Sequence, residues 1–101
     1  MNYKNYINNK WCDAKSGKTF DVYNPYNEEV IGRVPASGSI DVEKAVEAAQ
    51  NAFQKWGNMI PGERRGFLKE LAKVSLDNAN SLAKIISLEM GKPFKDALGE
   101  I

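Results

Sequence analysis

Residues 88–101 read LEMGKPFKDALGEI, and this stretch ends one helix and begins another. Gly91 fits the position just after a helix, because a residue without Cβ enters the left-handed region at no steric cost. Pro93 fits the first turn of the next helix, where its missing N–H leaves no hydrogen bond unmade. The sequence closes on the apolar Ile101, with no Gly, Asn or Pro after it to stop that helix. We therefore expect the chain to end inside it, and the reactive groups of the protein to lie outside these residues.

The composition is that of an ordinary soluble globular chain, with 43% apolar and 27% charged residues in 101. This length fits one small domain or part of a larger one. The net charge of +1 is spread evenly, which disfavours nucleic acid and anionic membranes as partners. No stretch approaches the ~20 apolar residues of a membrane span. A single cysteine, Cys12, excludes an internal disulfide and favours a reducing, cytoplasmic location.

Residues 1–35 are predicted to form strands and turns. Strand signals at 6–7 and 10–11 predict a hairpin, the run 19–23 predicts a second strand, and the run 29–34 predicts a third, which Pro35 closes. Asn8-Asn9 separates the first two runs, and Asn tolerates the positive φ that a two-residue hairpin turn demands. Gly32 lies inside the last run and indicates a bulge or a close backbone approach.

Residues 36–101 are predicted to be helical, with three amphipathic helices and the start of a fourth. Ser39 is the expected cap of the first helix, and Asp41 lies favourably in its first turn. Gly57 ends that helix, Pro61 opens the second, and Asp77-Asn78 separates the second from the third. Apolar side chains recur at helical spacing and are expected to face the core, although these helices and the hairpin cover one another only partly. They are Val42, Ala45, Val46, Ala49, Phe53 and Trp56; Phe67, Leu68, Leu71, Ala72 and Leu76; and Leu82, Ile85, Ile86 and Met90.

Two local patterns resemble reactive sites. The run 16–19, Ser-Gly-Lys-Thr, resembles the end of a phosphate-binding loop, but the required earlier glycine is replaced by Cys12 and a strand follows instead of a helix. A polar turn is the favoured interpretation. Cys12 has no histidine in the chain to activate it, so we expect a half-buried strand end and not a nucleophile.

Glu89 lies on the apolar side of the third helix. It is either a general base with a raised pKa or the partner of Arg64 or Arg65, and the ion pair is favoured because no nucleophile or histidine accompanies it. The aromatic residues Trp11, Phe53, Trp56 and Phe67 fall on apolar faces and are expected in the core. The sequence therefore predicts no catalytic and no cofactor-binding residue within the chain.

The order of these signals resembles the N-terminal segment of the aldehyde dehydrogenase superfamily, over nearly the whole chain. The resemblance is carried by the hairpin at 6–11, by 16–20, by Asn24-Pro25, and by 29–31 with 34–35. It continues through the apolar spacing of the first two helices. Glu89, Gly91-Lys92-Pro93 and residues 99–101 match the most specific part. Two residues depart from the family pattern. Asn9 stands where the family usually has a hairpin glycine, and Ile60 stands where a capping Ser or Thr is common.

The resemblance implies an α/β fold of the aldehyde dehydrogenase type, in which this segment supplies the hairpin, the third strand and the helices. It implies that residues 1–101 are an incomplete N-terminal part of the coenzyme-binding domain. The whole enzyme would oxidise an aldehyde to a carboxylic acid with NAD or NADP, through a cysteine thiohemiacetal, and would form a homo-oligomer. In the family the reactive groups lie downstream, so neither Cys12 nor Glu89 takes a catalytic role, and the isolated chain is predicted to be inactive.

Some family members hold a structural monovalent cation through backbone carbonyls and an acidic side chain. The matching positions here are Val22, Tyr23 and, approximately, Glu100, whose oxygen atoms suit a hard cation. A buried or capped Glu100 is the alternative.

For the chain as a whole, the alternative function is a free-standing helical interaction module. A phosphate-binding module is a more distant alternative.

Overall fold

The computed structural model describes all residues, 1–101, as four short strands followed by four helices. The strands are β1 (Asn5–Ile7), β2 (Lys10–Cys12), β3 (Thr19–Tyr23) and β4 (Val30–Pro35). The helices are α1 (Ser39–Trp56), α2 (Pro61–Asp77), α3 (Ala79–Met90) and α4 (Phe94–Gly99). The predicted order of strand and helix is therefore confirmed.

The first two strands form the predicted hairpin. β1 and β2 pair antiparallel, with Asn5 opposite Cys12 and Ile7 opposite Lys10. Asn8 and Asn9 both have positive φ, 50° and 60°, so two asparagines make the turn in the left-handed region. β3 and β4 form a second two-stranded sheet.

Gly32 lies where two backbone segments approach closely, as the sequence indicates. A Cβ at this position would be 2.9 Å from the carbonyl oxygen of Met1 and 3.1 Å from the ring of Tyr3. The N-terminal residues run along β4 here, because the N–H of Arg33 donates to the Met1 carbonyl and that of Tyr3 to the Arg33 carbonyl, both at 2.9 Å. A side chain at Gly32 would block this pairing.

The prediction that Ser39 caps α1 is wrong, because the helix begins at Ser39 and Gly38 is the N-cap. Asp41 supplies the capping group, since its Oδ2 accepts a hydrogen bond from the Gly38 N–H at 3.0 Å. An acidic residue three positions into a helix often reaches back to the cap in this way. The Asp41 carboxylate thus bonds the backbone of the N-cap residue, and no side chain accepts from the first N–H groups of the helix as the Ser39 hydroxyl was expected to do.

The predicted breaks between the later helices are confirmed, except at the chain end. Pro61 is the first residue of α2, and Asn78 separates α2 from α3. Gly91 adopts the left-handed conformation with φ 68°, and its N–H donates to the Ser87 carbonyl. α4 ends at Gly99 and does not run through the last residue, because the Glu100 N–H bonds to the Ala97 carbonyl and tightens the turn.

The chain divides into two compact units. One comprises Met1–Val22 and Gly32–Met59, which includes the hairpin and α1. The other comprises Tyr23–Ile31 and Ile60–Ile101, which includes α2, α3 and α4.

The apolar core is small. Ala14, Ala83 and Ala97 are the buried apolar residues, and no large side chain is fully buried. The prediction that the helical stripes and the aromatic residues face a core is therefore wrong for most of them, because these residues alone supply too little surface to cover them. The exposed residues include Trp11, Val42, Val46, Phe53, Trp56, Phe67, Leu68, Leu71, Leu76, Leu82 and Met90.

Candidate functional site

A cavity lies in the first unit, between the hairpin, the loop after it and α1. It has a volume of about 490 Å³ and is lined on one side by Cys12 and the turn residue Asn8. Its charged lining consists of three cations and three anions, so the cavity has no net charge to select an ion of either sign. They are Lys10, Lys15 and Lys44 with Asp13, Asp41 and Glu47.

Asp41 is the one buried charged residue, with 7% of its surface exposed. Its Oδ1 accepts a hydrogen bond from the Lys15 N–H at 2.8 Å, and its Oδ2 accepts one from the Gly38 N–H. The bonds from the Gly38 and Lys15 backbones stabilise the ionised form and hold the pKa of Asp41 below its ordinary value. The carboxylate therefore ties the loop at Lys15 to the start of α1 through hydrogen bonds that favour its ionised form.

Cys12 is the only nucleophilic thiol in the chain and lies at the half-buried end of β2. Among the cavity residues none is a histidine, and the chain has no histidine at all. A thiol without a neighbouring base lacks the usual means of activation. The cavity thus contains no nucleophile–base pair.

Residues 16–19 form a turn before a strand. Gly17 has φ 68°, its N–H donates to the Ala14 carbonyl at 2.8 Å, and the Lys18 N–H donates to the Ser16 hydroxyl oxygen. β3 begins immediately at Thr19. Because no helix N-terminus follows the loop, it lacks the dipole that a phosphate-binding loop uses, and the interpretation as a polar turn is confirmed.

The expected ion pair of Glu89 is absent. Glu89 is exposed near the end of α3 and pairs with neither Arg64 nor Arg65. The prediction assumed an apolar environment on that side of α3, whereas the neighbouring Met90 is 64% exposed. A solvated carboxylate needs no buried partner, so the physical reason for the pair is missing.

The predicted cation ligands lie at two element ends. Val22 and Tyr23 are the last two residues of β3, and Glu100 directly follows α4. The Glu100 carboxylate forms an ion pair with the ammonium group of Lys92. The Lys92 carbonyl in turn accepts a hydrogen bond from the Ser87 hydroxyl at 2.6 Å, which fixes the α3–α4 connection. No group of three or more His, Cys, Asp or Glu side chains capable of holding a metal occurs in the chain.

Two structural roles were missed from sequence. The position of Asp41, three residues after Gly38, is the spacing of a capping box and was a readable signal. The Lys92–Glu100 pair joins two residues eight positions apart, one before and one after α4, and helical periodicity does not predict it. No helix of the chain combines the length and apolar character needed to cross a membrane.

Comparison with known proteins identifies the family. The model of the aldehyde dehydrogenase family matches residues 11–101. Malonate-semialdehyde dehydrogenase 1 of Oceanobacillus iheyensis is 45% identical over 98 residues, which are 97% of this chain and 20% of that protein. Glutarate-semialdehyde dehydrogenase of Pseudomonas putida is 40% identical over 96 residues, or 95% of this chain and 20% of that protein.

A solved structure gives the same result. The crystal structure of NAD-dependent aldehyde dehydrogenase from Sinorhizobium meliloti matches with a TM-score of 0.94 and 39% identity, and the match covers 99% of this chain and 20% of that one. The chain thus spans about a fifth of the length of the relatives it matches. It belongs to the aldehyde dehydrogenase family and corresponds to an N-terminal segment of its members.

Proposed function

We propose that this chain is the N-terminal structural segment of an NAD(P)-dependent aldehyde dehydrogenase and supplies framework to the coenzyme-binding domain. The supporting observation is a match along 99% of the chain to a fifth of a related enzyme. The residues themselves contribute no reactive group, since the cavity lacks a nucleophile–base pair and the buried carboxylate of Asp41 is engaged by backbone N–H groups. Its role is to supply framework to the coenzyme-binding domain, and the rest of the enzyme supplies the reactive groups.

The whole enzyme acts, in this proposal, on an aldehyde in the cytoplasm, uses NAD or NADP and is a homo-oligomer. Both curated relatives described above are named for semialdehydes of dicarboxylic acids. An aldehyde that carries a carboxylate is therefore the proposed substrate class. The single unpaired cysteine and the even charge distribution are consistent with a reducing compartment and with the absence of nucleic-acid or membrane partners.

A chimeric enzyme tests this function directly. The matching segment of malonate-semialdehyde dehydrogenase 1 from Oceanobacillus iheyensis is replaced by this chain. Because volume-conserving differences between related cores are tolerated, we expect kcat/KM for malonate semialdehyde to stay within about tenfold of the parent. The same enzyme with the segment deleted serves as the control and should be inactive. A chimera as inactive as the deletion, although folded, would refute the proposal.

The isolated chain should itself be inactive. We expect no aldehyde-dependent formation of NADH or NADPH above that of a buffer blank, because the chain has neither a histidine nor an activated thiol. The measurement is absorbance of the reduced coenzyme with several semialdehydes. Turnover that persists in a Cys12→Ser variant would point to contamination, whereas turnover abolished by that substitution would contradict the assignment of Cys12.

A helical interaction module is the second candidate, and the exposed apolar stripes favour it. The two functions differ in the chimera, because an unrelated interaction module would not support the activity of a dehydrogenase.

The cation site is also part of the proposal. The carbonyl oxygens of Val22 and Tyr23 and the carboxylate of Glu100 are hard donors of the kind that Na⁺ or K⁺ prefers, but the ammonium of Lys92 already neutralises Glu100. If a cation binds there, Na⁺ or K⁺ should raise the thermal stability of the chimera relative to choline, and Glu100→Gln should abolish the difference. Equal stability in all three salts would exclude the site.

A further inference from the structure

Lys92 and Glu100 form an ion pair that is partly withdrawn from solvent. The ammonium group of Lys92 donates a hydrogen bond to Oε1 of Glu100, and the two side chains are 29% and 48% exposed. Glu100 takes part in no other ion pair. Because the pair is partly buried, dissolved salt screens it less than it screens a fully exposed pair.

The backbone holds both partners of this pair in place. The carbonyl of Lys92 accepts a hydrogen bond from the Ser87 hydroxyl at 2.6 Å, and the N–H of Glu100 donates to the Ala97 carbonyl at 3.2 Å. Ala97 is fully buried, so packing anchors the end of α4. The ammonium group is therefore kept close to the carboxylate by groups other than the pair itself.

The charge of Lys92 bears on the cation that Glu100 is proposed to bind. A carboxylate has two oxygen atoms, so an ammonium group on Oε1 leaves the other oxygen for a metal ion. Two positive charges on one carboxylate repel each other, and the repulsion is stronger where solvent is partly excluded. We propose that Lys92 is a resident competitor of Na⁺ or K⁺ at Glu100, and that its charge sets the cation concentration at which the site fills.

This inference rests on the cation site of the proposed function and goes beyond it, because it assigns control of that site to a residue outside the set of donors. The coupling is reciprocal, so a bound cation weakens the Lys92–Glu100 pair as much as the pair weakens cation binding. An ion pair with a purely structural role would affect stability equally in every salt. The measurement that carries the proposal is therefore the cation concentration at which stability rises.

The experiment follows thermal unfolding of the Oceanobacillus iheyensis chimera while NaCl or KCl replaces choline chloride at constant ionic strength. In Lys92→Met, the cation concentration that gives half of the stabilisation should be at least about tenfold lower than in the original chimera. Lys92→Arg keeps the charge, so its midpoint concentration should stay near the original value.

Lys95→Met is the matched control. Lys95 lies on α4, is exposed and forms no ion pair, so its removal takes the same charge from the same segment without touching Glu100. An exposed charge at a greater distance is largely screened, and the midpoint concentration of this variant should stay within about twofold of the original.

Three results would overturn the proposal. These are a midpoint in Lys92→Met equal to the original, a shift in Lys92→Arg as large as that in Lys92→Met, and an equal shift in Lys95→Met. Stability of Lys92→Met that is the same in all salts would refute both the competition and the cation site. The activity of the chimera tests the proposed function separately, so an active chimera without any cation effect leaves that function standing.

Discussion

Substitution of Gly91 by valine is expected to lower the free energy of unfolding of the chain by about 2 kcal/mol. Gly91 has φ 68°, in the left-handed region where a β-branched residue is strongly disfavoured. Space is also short, because a Cβ there would lie 3.1 Å from Cγ of Pro25. The measurement is urea unfolding followed by far-UV circular dichroism.

Gly66→Ala is the control for this substitution. Gly66 lies inside α2, has no positive φ, and a Cβ added to it would meet no atom within 4 Å. Alanine in a helix interior is more favourable than glycine by about 1 kcal/mol, so this variant should be stabilised. We therefore expect the free energy of unfolding to fall for Gly91→Val and to rise for Gly66→Ala. A stabilised or unchanged Gly91→Val would mean that the left-handed turn between α3 and α4 is not required.

The consequences of Gly91→Val should extend to the α3–α4 connection. The Gly91 N–H bonds to the Ser87 carbonyl, and the Ser87 hydroxyl donates to the Lys92 carbonyl. Lys92 also pairs with Glu100. A change of backbone conformation at Gly91 therefore disturbs the geometry that brings Lys92 to Glu100, and α4 should lose helicity together with the end of α3.

The positions of turns and helix ends followed from sequence because they are local. Asn8-Asn9 and Gly91 adopt the left-handed conformations that their side chains permit, and Pro61 begins a helix in which its missing N–H is not needed. Each of these depends on the preferences of one or two residues. Nothing distant along the chain competes with them.

Burial did not follow from sequence because it depends on what lies against a side chain. Phe53 and Leu71 occupy apolar helical positions, yet they are 66% and 62% exposed. The hydrophobic pattern indicates correctly which side of a helix prefers to be covered. The pattern does not indicate whether the residues that would pack against that side belong to the same 101 residues. The small core and the match to a fifth of larger enzymes are consistent with each other.

The cap of α1 was misassigned for a related reason. Ser39 is a suitable capping residue by type, and the choice of Gly38 depends on the carboxylate of Asp41. That carboxylate is held in place by a second bond, to the Lys15 N–H, twenty-six residues earlier in the chain. The position of the α1 N-cap thus depends on a long-range hydrogen bond, which sequence periodicity does not predict.

Asp41→Asn should destabilise the chain near neutral pH and remove much of its acid sensitivity. The carboxylate accepts two backbone N–H bonds, from Lys15 and Gly38, whereas a carboxamide offers one acceptor and sets an N–H₂ group against the second donor. An N–H left without an acceptor beside a buried group is costly. Urea midpoints of the two chains near neutral pH measure this loss.

The pH dependence follows from the lowered pKa of Asp41, because the unfolded carboxyl titrates near its ordinary value of 3.8. A lowered folded-state pKa means that the ionised form is favoured by folding, so its contribution is complete above 3.8 and is lost as the pH falls through the folded value. The difference in stability between the original chain and Asp41→Asn should therefore shrink as the pH falls below 3.8 and through the lower folded-state pKa.

Glu43→Gln is the matched control, since it removes an acidic group two residues further along α1 without touching the bonds to Lys15 and Gly38. Its stability relative to the original chain should stay nearly constant over that pH range. If Asp41→Asn and Glu43→Gln behaved alike, the effect would come from helix-dipole charge in general. A difference confined to Asp41 would establish that this carboxylate ties the loop at Lys15 to α1, and that protonation of the carboxylate weakens this connection.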